Sequence, residues 1–255
     1  MKLLNLKLLE LEKLLLLKNS LMDIPFSLDI ISDLNLSEND FFDWTGNPTS
    51  LFCVVTGNIT SNLKKLHQVL THLGTLYRGV LYIDGLVEHL NLANYESRIE
   101  QIKMICSPIQ NVIYLNKHVI ILNSIAFIGI NGWYPSNYNK FDAHERMYID
   151  ELRLQDVDFL TKTIKNLQHH HDAKRICIIT NSVPSEQLTL KDPEQNLPDP
   201  IGIITALMAD TEHKVDHWIF GNYDKIIDGV YNGRRYVNNP KINSQPYWPK
   251  RVELG

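Results

Sequence analysis

The chain has 255 residues, 44% hydrophobic and 21% charged, with 25 basic against 29 acidic side chains for a net charge of −4. These proportions belong to a globular protein that buries most of its unfolded surface, and they exclude a largely disordered chain. A slightly acidic balance supplies no global field for nucleic acid or an anionic membrane. Cys53, Cys106 and Cys177 are far apart and form no CxxC, so neither a zinc ribbon nor a disulfide framework is expected. Cys53 and Cys177 sit inside apolar runs and read as small core residues in a reducing compartment.

Residues 2–21 are rich in leucine but interrupted by Lys7, Glu10, Glu12 and Lys13. The longest apolar run, Leu14 to Leu17, is too short for a signal peptide or a membrane span. The pattern predicts a helix with Leu4, Leu8, Leu11 and Leu15 on one stripe and further leucines around it. A surface helix usually buries a single stripe, so the excess points to self-association or to a protein partner held by this segment. Residues 1–22 are therefore set apart from a main domain over 23–255.

From Pro25 onward, apolar runs alternate with helical patterns. Strands are expected at Leu28–Ser32, Ser50–Thr56 and Gly79–Ile83, with helices over 61–74 and 91–105. Residues 111–131 hold three strand-like segments that read as a meander, the first two joined by a turn at Asn116-Lys117. Residues 136–150 look like a loop, 151–168 a helix, Arg175–Thr180 a strand, and 183–200 a long surface loop. A helix over 201–213, a strand from Val215 to Phe220 and a closing hairpin of Lys225–Val230 with Arg235–Val237 complete an α/β pattern with mixed sheets.

In α/β folds, ligands gather beyond the carboxyl ends of strands. Those ends read Ser32-Asp33-Leu34-Asn35, then Thr56-Gly57-Asn58, then Asp84-Gly85-Leu86-Val87-Glu88-His89, then Thr180-Asn181-Ser182-Val183-Pro184, then Gly221-Asn222-Tyr223-Asp224. In this order they resemble the motifs of the calcineurin-like metallophosphoesterases: SDLH, GD, GNH with an acidic residue, a TH before proline, and GHTH. Ile128–Trp133, Val215–Gly221 and Asn239-Pro240 resemble flanking features of the same family. The resemblance covers roughly residues 27–247 and implies a two-sheet β-sandwich flanked by helices, here with an added N-terminal helix.

It also implies a two-metal centre, and there the sequence departs. Asp33 keeps its type. Asn35, Asn58, Asn181, Asn222 and Asp224 stand at ligand positions that the family fills with His or Asp, Leu86 replaces the ligand Asn, and Val87 replaces the catalytic His. Amides and alkyl groups neither offset the repulsion of two cations nor protonate a leaving alkoxide. The expectation is a catalytically inactive homologue with a structural, assembly or protein-binding role and no cofactor. The alternatives are a phosphoesterase with a reduced or rearranged site for Mn, Zn, Fe or Mg, its residual ligands Asp33, Asp84 and Asp224, and a metal-free binder of nucleotides or nucleic acid.

Three smaller constellations stand beside this one. Asp33, Asp84, Glu88, His89 and Asp224 are read as solvated loop carboxylates and a surface histidine rather than one altered cation site. His169-His170-His171 is an exposed helix end able to bind a transition metal adventitiously. Trp133, Tyr134, Tyr138, Arg234, Arg235 and Tyr236 are read as loop packing and exposed charge rather than a phosphate or base pocket. The abundance of Asn, Ile, Lys and Leu fits an AT-rich genome, viral, phage or low-GC bacterial, and a location in the cytoplasm, or in a host cytoplasm or virion.

Overall fold

The structure is a computed structural model and describes residues 26–40, 47–89, 92–133, 138–185, 188, 204–242 and 247–254. The expected N-terminal helix, with Leu4, Leu8, Leu11 and Leu15, lies outside the described residues. In chain order the elements are β1 (Ser27–Ile31), β2 (Phe52–Val55), α1 (Leu63–Leu76), β3 (Gly79–Tyr82), α2 (Tyr95–Cys106), β4 (Val112–Tyr114), β5 (His118–Leu122), β6 (Ile125–Ile130), α3 (Ala143–Gln168), β7 (Arg175–Thr180), β8 (Val215–Phe220), β9 (Asp228–Tyr231), β10 (Arg234–Val237) and β11 (Lys250–Glu253).

They build two mixed sheets flanked by helices. One sheet has the order β11-β1-β2-β3-β4 and the other β5-β6-β7-β8-β10-β9. In the first, β1 to β4 are parallel and β11 runs antiparallel to β1. In the second, β6, β7, β8 and β10 are parallel, with antiparallel β5 and β9 at the edges.

The side-chain period of two sorts the layers. Leu28, Ile30, Phe52, Val54 and Leu81 from one sheet meet Ile120, Phe127, Cys177 and Ile219 from the other in the core between them. The alternate residues Ile31, Cys53, Val55 and Val80 face outward and are covered by Leu66, Val69, Leu70 and Leu73 of α1 and Ile102 and Cys106 of α2. On the opposite outer face, Leu160, Ile164 and Leu167 of α3 cover Ile128, Ile178, Trp218 and Phe220. All three cysteines are buried, and none forms a disulfide among the described residues.

Local signals explain the helix ends. Asn62 caps α1 by accepting from the Lys65 backbone N–H at 3.0 Å. Asp142 and Glu145 form a reciprocal capping box that starts α3 at Ala143, so the segment expected to be a loop as far as residue 150 is helical from 143. At its other end, the Lys214 ammonium donates to the carbonyls of Leu167, His170 and Ala173 at 2.9, 3.3 and 2.9 Å, satisfying acceptors that a helix C-terminus leaves open.

Two other expectations are corrected, and one strand is added. The segment 111–131 is not a meander: β4 closes the first sheet, the chain crosses at Leu115–Lys117, and β5, at the edge of the second sheet, pairs with β6 alone among the described residues. Within 201–213, the described residues form a short 3-10 stretch at Ile204–Ala209. Strand β11 was not anticipated; its buried Val252 sits among polar neighbours, too little alternation to signal a strand.

Candidate functional site

Because the central strands of both sheets are parallel, their carboxyl ends emerge at one pole of the sandwich. The backbone turns sharply there. Asp33, Asn35, Asn58 and Asn222 all adopt positive φ, at 55°, 46°, 54° and 54°, and Gly57 lies at 81°. Asn and Asp tolerate this left-handed region better than other residues with a Cβ, so these residue types suit the turns as well as the site. The loops surround a cleft of about 500 Å³ lined by Asp33, Asn35, Asn58, Leu86, Val87, Asn222, Tyr223, Asp224, Pro240, Lys241 and Ile242. Seven of the eight positions singled out from sequence thus border one cavity. Asn181 does not: it is buried, and its Nδ2 donates to the Thr56 carbonyl at 2.7 Å. Tyr223, Lys241 and Ile242 escaped the sequence reading, although Asn239-Pro240 marked the neighbouring turn.

The polar groups of the cleft bind one another. Asn58 Nδ2 donates to Asp33 Oδ1 at 2.9 Å and to Asn222 Oδ1 at 3.2 Å. The Asn222 backbone N–H reaches both oxygens of Asp33, at 2.9 and 3.0 Å. Asn58 Oδ1 accepts from the Val87 N–H at 3.1 Å. Asn35 Nδ2 turns back to the Asp33 carbonyl at 3.0 Å.

Glu88, Asp84 and His89 are not solvated loop residues; all three are buried. Glu88 accepts four backbone N–H bonds, from Gly85 at 2.8 Å, Asn58 at 3.0 Å, Ile59 at 2.6 Å and Thr60 at 3.4 Å. Its carboxylate is the pin between the loops after β2 and β3. Asp84 faces away from the cleft, pairing with His89 Nε2 at 2.5 Å and accepting from the Tyr114 hydroxyl at 2.5 Å. The His89 ring packs against Tyr95 and Trp133. Of the five groups considered for one altered cation site, Asp33 and Asp224 reach the cleft and the other three do not.

The aromatic and basic residues do not form one pocket either. Trp133 packs on Tyr95 near α3, and the Tyr138 hydroxyl donates to Asp150 at 2.8 Å. Arg234 pairs with buried Asp210 at 3.0 Å, Arg235 with Asp228 at 2.9 Å, and Tyr236 stacks on Trp218. Tyr134 lies outside the described residues.

Burial raises three carboxyls: Asp33 to about 6, Glu88 to about 7, and Asp156, which accepts from the Gly132 N–H and faces Lys117 at 3.5 Å, to about 6. In each case loss of solvation outweighs the hydrogen bonds that favour the charged form. The folded protein therefore holds protons more tightly than the unfolded chain between about pH 4 and 7, and stability increases as pH falls through that window. Asp228 acts in the opposite sense: hydrogen bonding from Arg235, with Lys250 beside it, lowers it to about 2, so its contribution is lost in stronger acid. The expected result is a melting temperature higher at pH 5.5 than at pH 8, read by differential scanning fluorimetry. Asp33→Asn should remove one share of that rise, about 1 kcal/mol, because an amide oxygen still accepts from Asn58 and Asn222 but does not titrate. An unchanged pH profile in this variant would show that Asp33 is not the group responsible.

No protein-family model matches the sequence, and no curated protein matches it. Similarity appears among solved structures. Phosphopantetheinyl hydrolase from Mycobacterium tuberculosis superposes with a TM-score of 0.60 at 13% identity, over 90% of this chain and 96% of that one. A putative 5'-nucleotidase from Staphylococcus aureus gives a TM-score of 0.49 at 9% identity, over 84% of this chain and 48% of that one. An anchor of the Plasmodium inner membrane complex gives 0.48 at 12%, over 84% and 71%. The first of these likenesses, with the two mixed sheets and their flanking helices, is consistent with a metallophosphoesterase-like fold. Among the described residues, no helix is long and apolar enough to cross a membrane.

Proposed function

We propose that this protein is a catalytically inactive relative of the calcineurin-like metallophosphoesterases, in which the former metal cleft serves as a structural junction and the role is binding or assembly rather than hydrolysis. The observation that carries this reading is the position of Asn58. Its amide nitrogen donates to Asp33 and Asn222 while its amide oxygen accepts from Val87, so the groups that would have to face a cation are bonded to each other.

The residues present do not fit a two-cation centre. Two adjacent divalent ions need a bridging anion, and Asn58 supplies none. Leu86 and Val87 offer no donor, Asn181 is turned to a backbone carbonyl, and no imidazole borders the cleft among the described residues. Without such ions the cleft holds, among the described residues, no Lewis acid to depress the pKa of an attacking water, and without an acid at position 87 no matching group protonates the departing oxygen. The substitutions also relieve a cost: carboxylates facing one another without metal would repel, whereas neutral amides complete the loops.

The test is hydrolysis of p-nitrophenyl phosphate and bis-p-nitrophenyl phosphate by the full chain with added Mn²⁺. We expect rates at the level of the buffer. Turnover that Asp33→Ala abolishes would overturn the reading and restore the alternative of a rearranged phosphoesterase site.

A further inference from the structure

The chain carries a second constellation, at the other end of the sandwich. Helix α3 ends at Gln168, and His169, His170, His171 and Asp172 follow before β7 starts at Arg175. One donor atom from each of His170, His171 and Asp172 lies within 4.8 Å of the other two. The two imidazoles are parallel, with an interplanar angle of 3° and centroids 5.5 Å apart, and His171 Nε2 stands 3.3 Å from Asp172 Oδ1. The His171 and Asp172 side chains are 88% and 59% exposed, so both can rotate. His170 Nδ1, by contrast, is buried and has no hydrogen-bond partner among the described residues.

We propose that His170, His171 and Asp172 form a site for one divalent transition cation of the zinc, nickel or copper type. Two imidazoles and a carboxylate are the donor set these ions prefer, and magnesium and calcium are poorly served by it. Metal–donor bonds of about 2.0–2.2 Å place tetrahedral donors about 3.4 Å apart, so the present separation closes by turning exposed side chains. The negative end of α3 favours a cation there. Lys214 brings a positive charge to the same turn through its bond to the His170 carbonyl, and the Asp172 carboxylate offsets it. Three protein donors leave a coordination position open to water or an incoming ligand.

This site is distinct from the cleft. Strand β7 runs from Arg175, beside the histidines, to Thr180, which leads into Asn181 at the opposite pole. At about 3.3 Å per residue the strand alone separates the two by about 17 Å. An ion held here cannot act on anything in the cleft, and metal found in the whole protein does not by itself argue for hydrolysis.

Isothermal titration of the full chain, free of any histidine tag, with zinc chloride tests the proposal. We expect one equivalent with a Kd in the micromolar range. Binding should weaken at least about tenfold in His170→Ala/His171→Ala and in His171→Ala alone. Asp33→Asn should bind as the parent does. The metal-free melting temperature of His171→Ala, an exposed position, should match the parent and so separate loss of a ligand from loss of fold. No heat at about 100 μM zinc, or heat unaffected by the histidine substitutions, would overturn the site. Uptake retained in the histidine variants but lost in Asp33→Asn would overturn both this site and the reading of the cleft.

Discussion

Glu88→Ala should lower the stability of the protein by about 3–5 kcal/mol, or about 10 °C in melting temperature. Four backbone N–H groups, from Gly85, Asn58, Ile59 and Thr60, end on this one carboxylate, and alanine leaves them buried without an acceptor. The relief of no longer burying an acid offsets part of the loss, which keeps the figure below four full penalties. Glu88→Gln should fall between the two, since its amide oxygen serves some of the donors while its NH₂ group opposes the others. Thermal unfolding of the three proteins at pH 7.5 gives the order directly. A Glu88→Ala variant as stable as the parent would mean that the loops after β2 and β3 are held by something else.

Gly57→Ala is the second large effect, and a different force produces it. A Cβ at this position would lie 2.5 Å from the Gly85 nitrogen, 2.7 Å from the Asp84 carbonyl carbon and 2.9 Å from Asn181 Nδ2, with φ at 81°. The left-handed backbone costs about 1 kcal/mol and the overlap with fixed backbone about 1–3 more, for a sum of about 3 kcal/mol. Gly233 separates the two contributions. It sits in the turn between β9 and β10 at φ 74°, and a Cβ there meets nothing within 4 Å. Gly233→Ala should show the conformational cost alone. Urea midpoints that are equal for the two variants would remove the close approach of the β2 and β3 loops as the reason for glycine at 57.

How much of this was legible beforehand follows from which forces act locally. Strands buried on both faces, such as Leu28–Ile31 and Phe52–Val55, declare themselves because they read as short, nearly continuous apolar runs. The start of α3 was also written there, in Asp142 and Glu145, but the aromatic residues before it made the segment read as a loop. The sheet change between β4 and β5 was not legible. Val112–Tyr114 and His118–Leu122 look alike locally, and what divides them is the Leu115 N–H bonding to the Tyr82 carbonyl while Lys117 turns at φ 48°. At the cleft, motif order brought Asp33, Asn58 and Asn222 to notice, and the structure gathers them around one cavity. The burial of Asp84, Glu88 and His89 could not be read from residue type, because a charged side chain enters the interior only when partners from distant segments receive it.

Strand β11 has a consequence for how the protein is made. It completes the first sheet by pairing Ser27 with Glu253 and Leu28 with Val252, joining opposite ends of the described chain. The Leu254 N–H reaches the Phe26 carbonyl at 2.9 Å, and Val252 and Leu254 fill the core beside Phe26 and Leu28. During synthesis β1 emerges before its closing neighbour, with every other described strand made in between. Until then the outer edge of β1 presents unpaired N–H and C=O groups above an open stretch of apolar core, a surface that another nascent chain can pair with. Contacts between such remote segments also form slowly, since closing the longest loop comes before any gain from it. The step most exposed to misassembly is therefore the arrival of a four-residue strand, Lys250–Glu253, on the edge of the first.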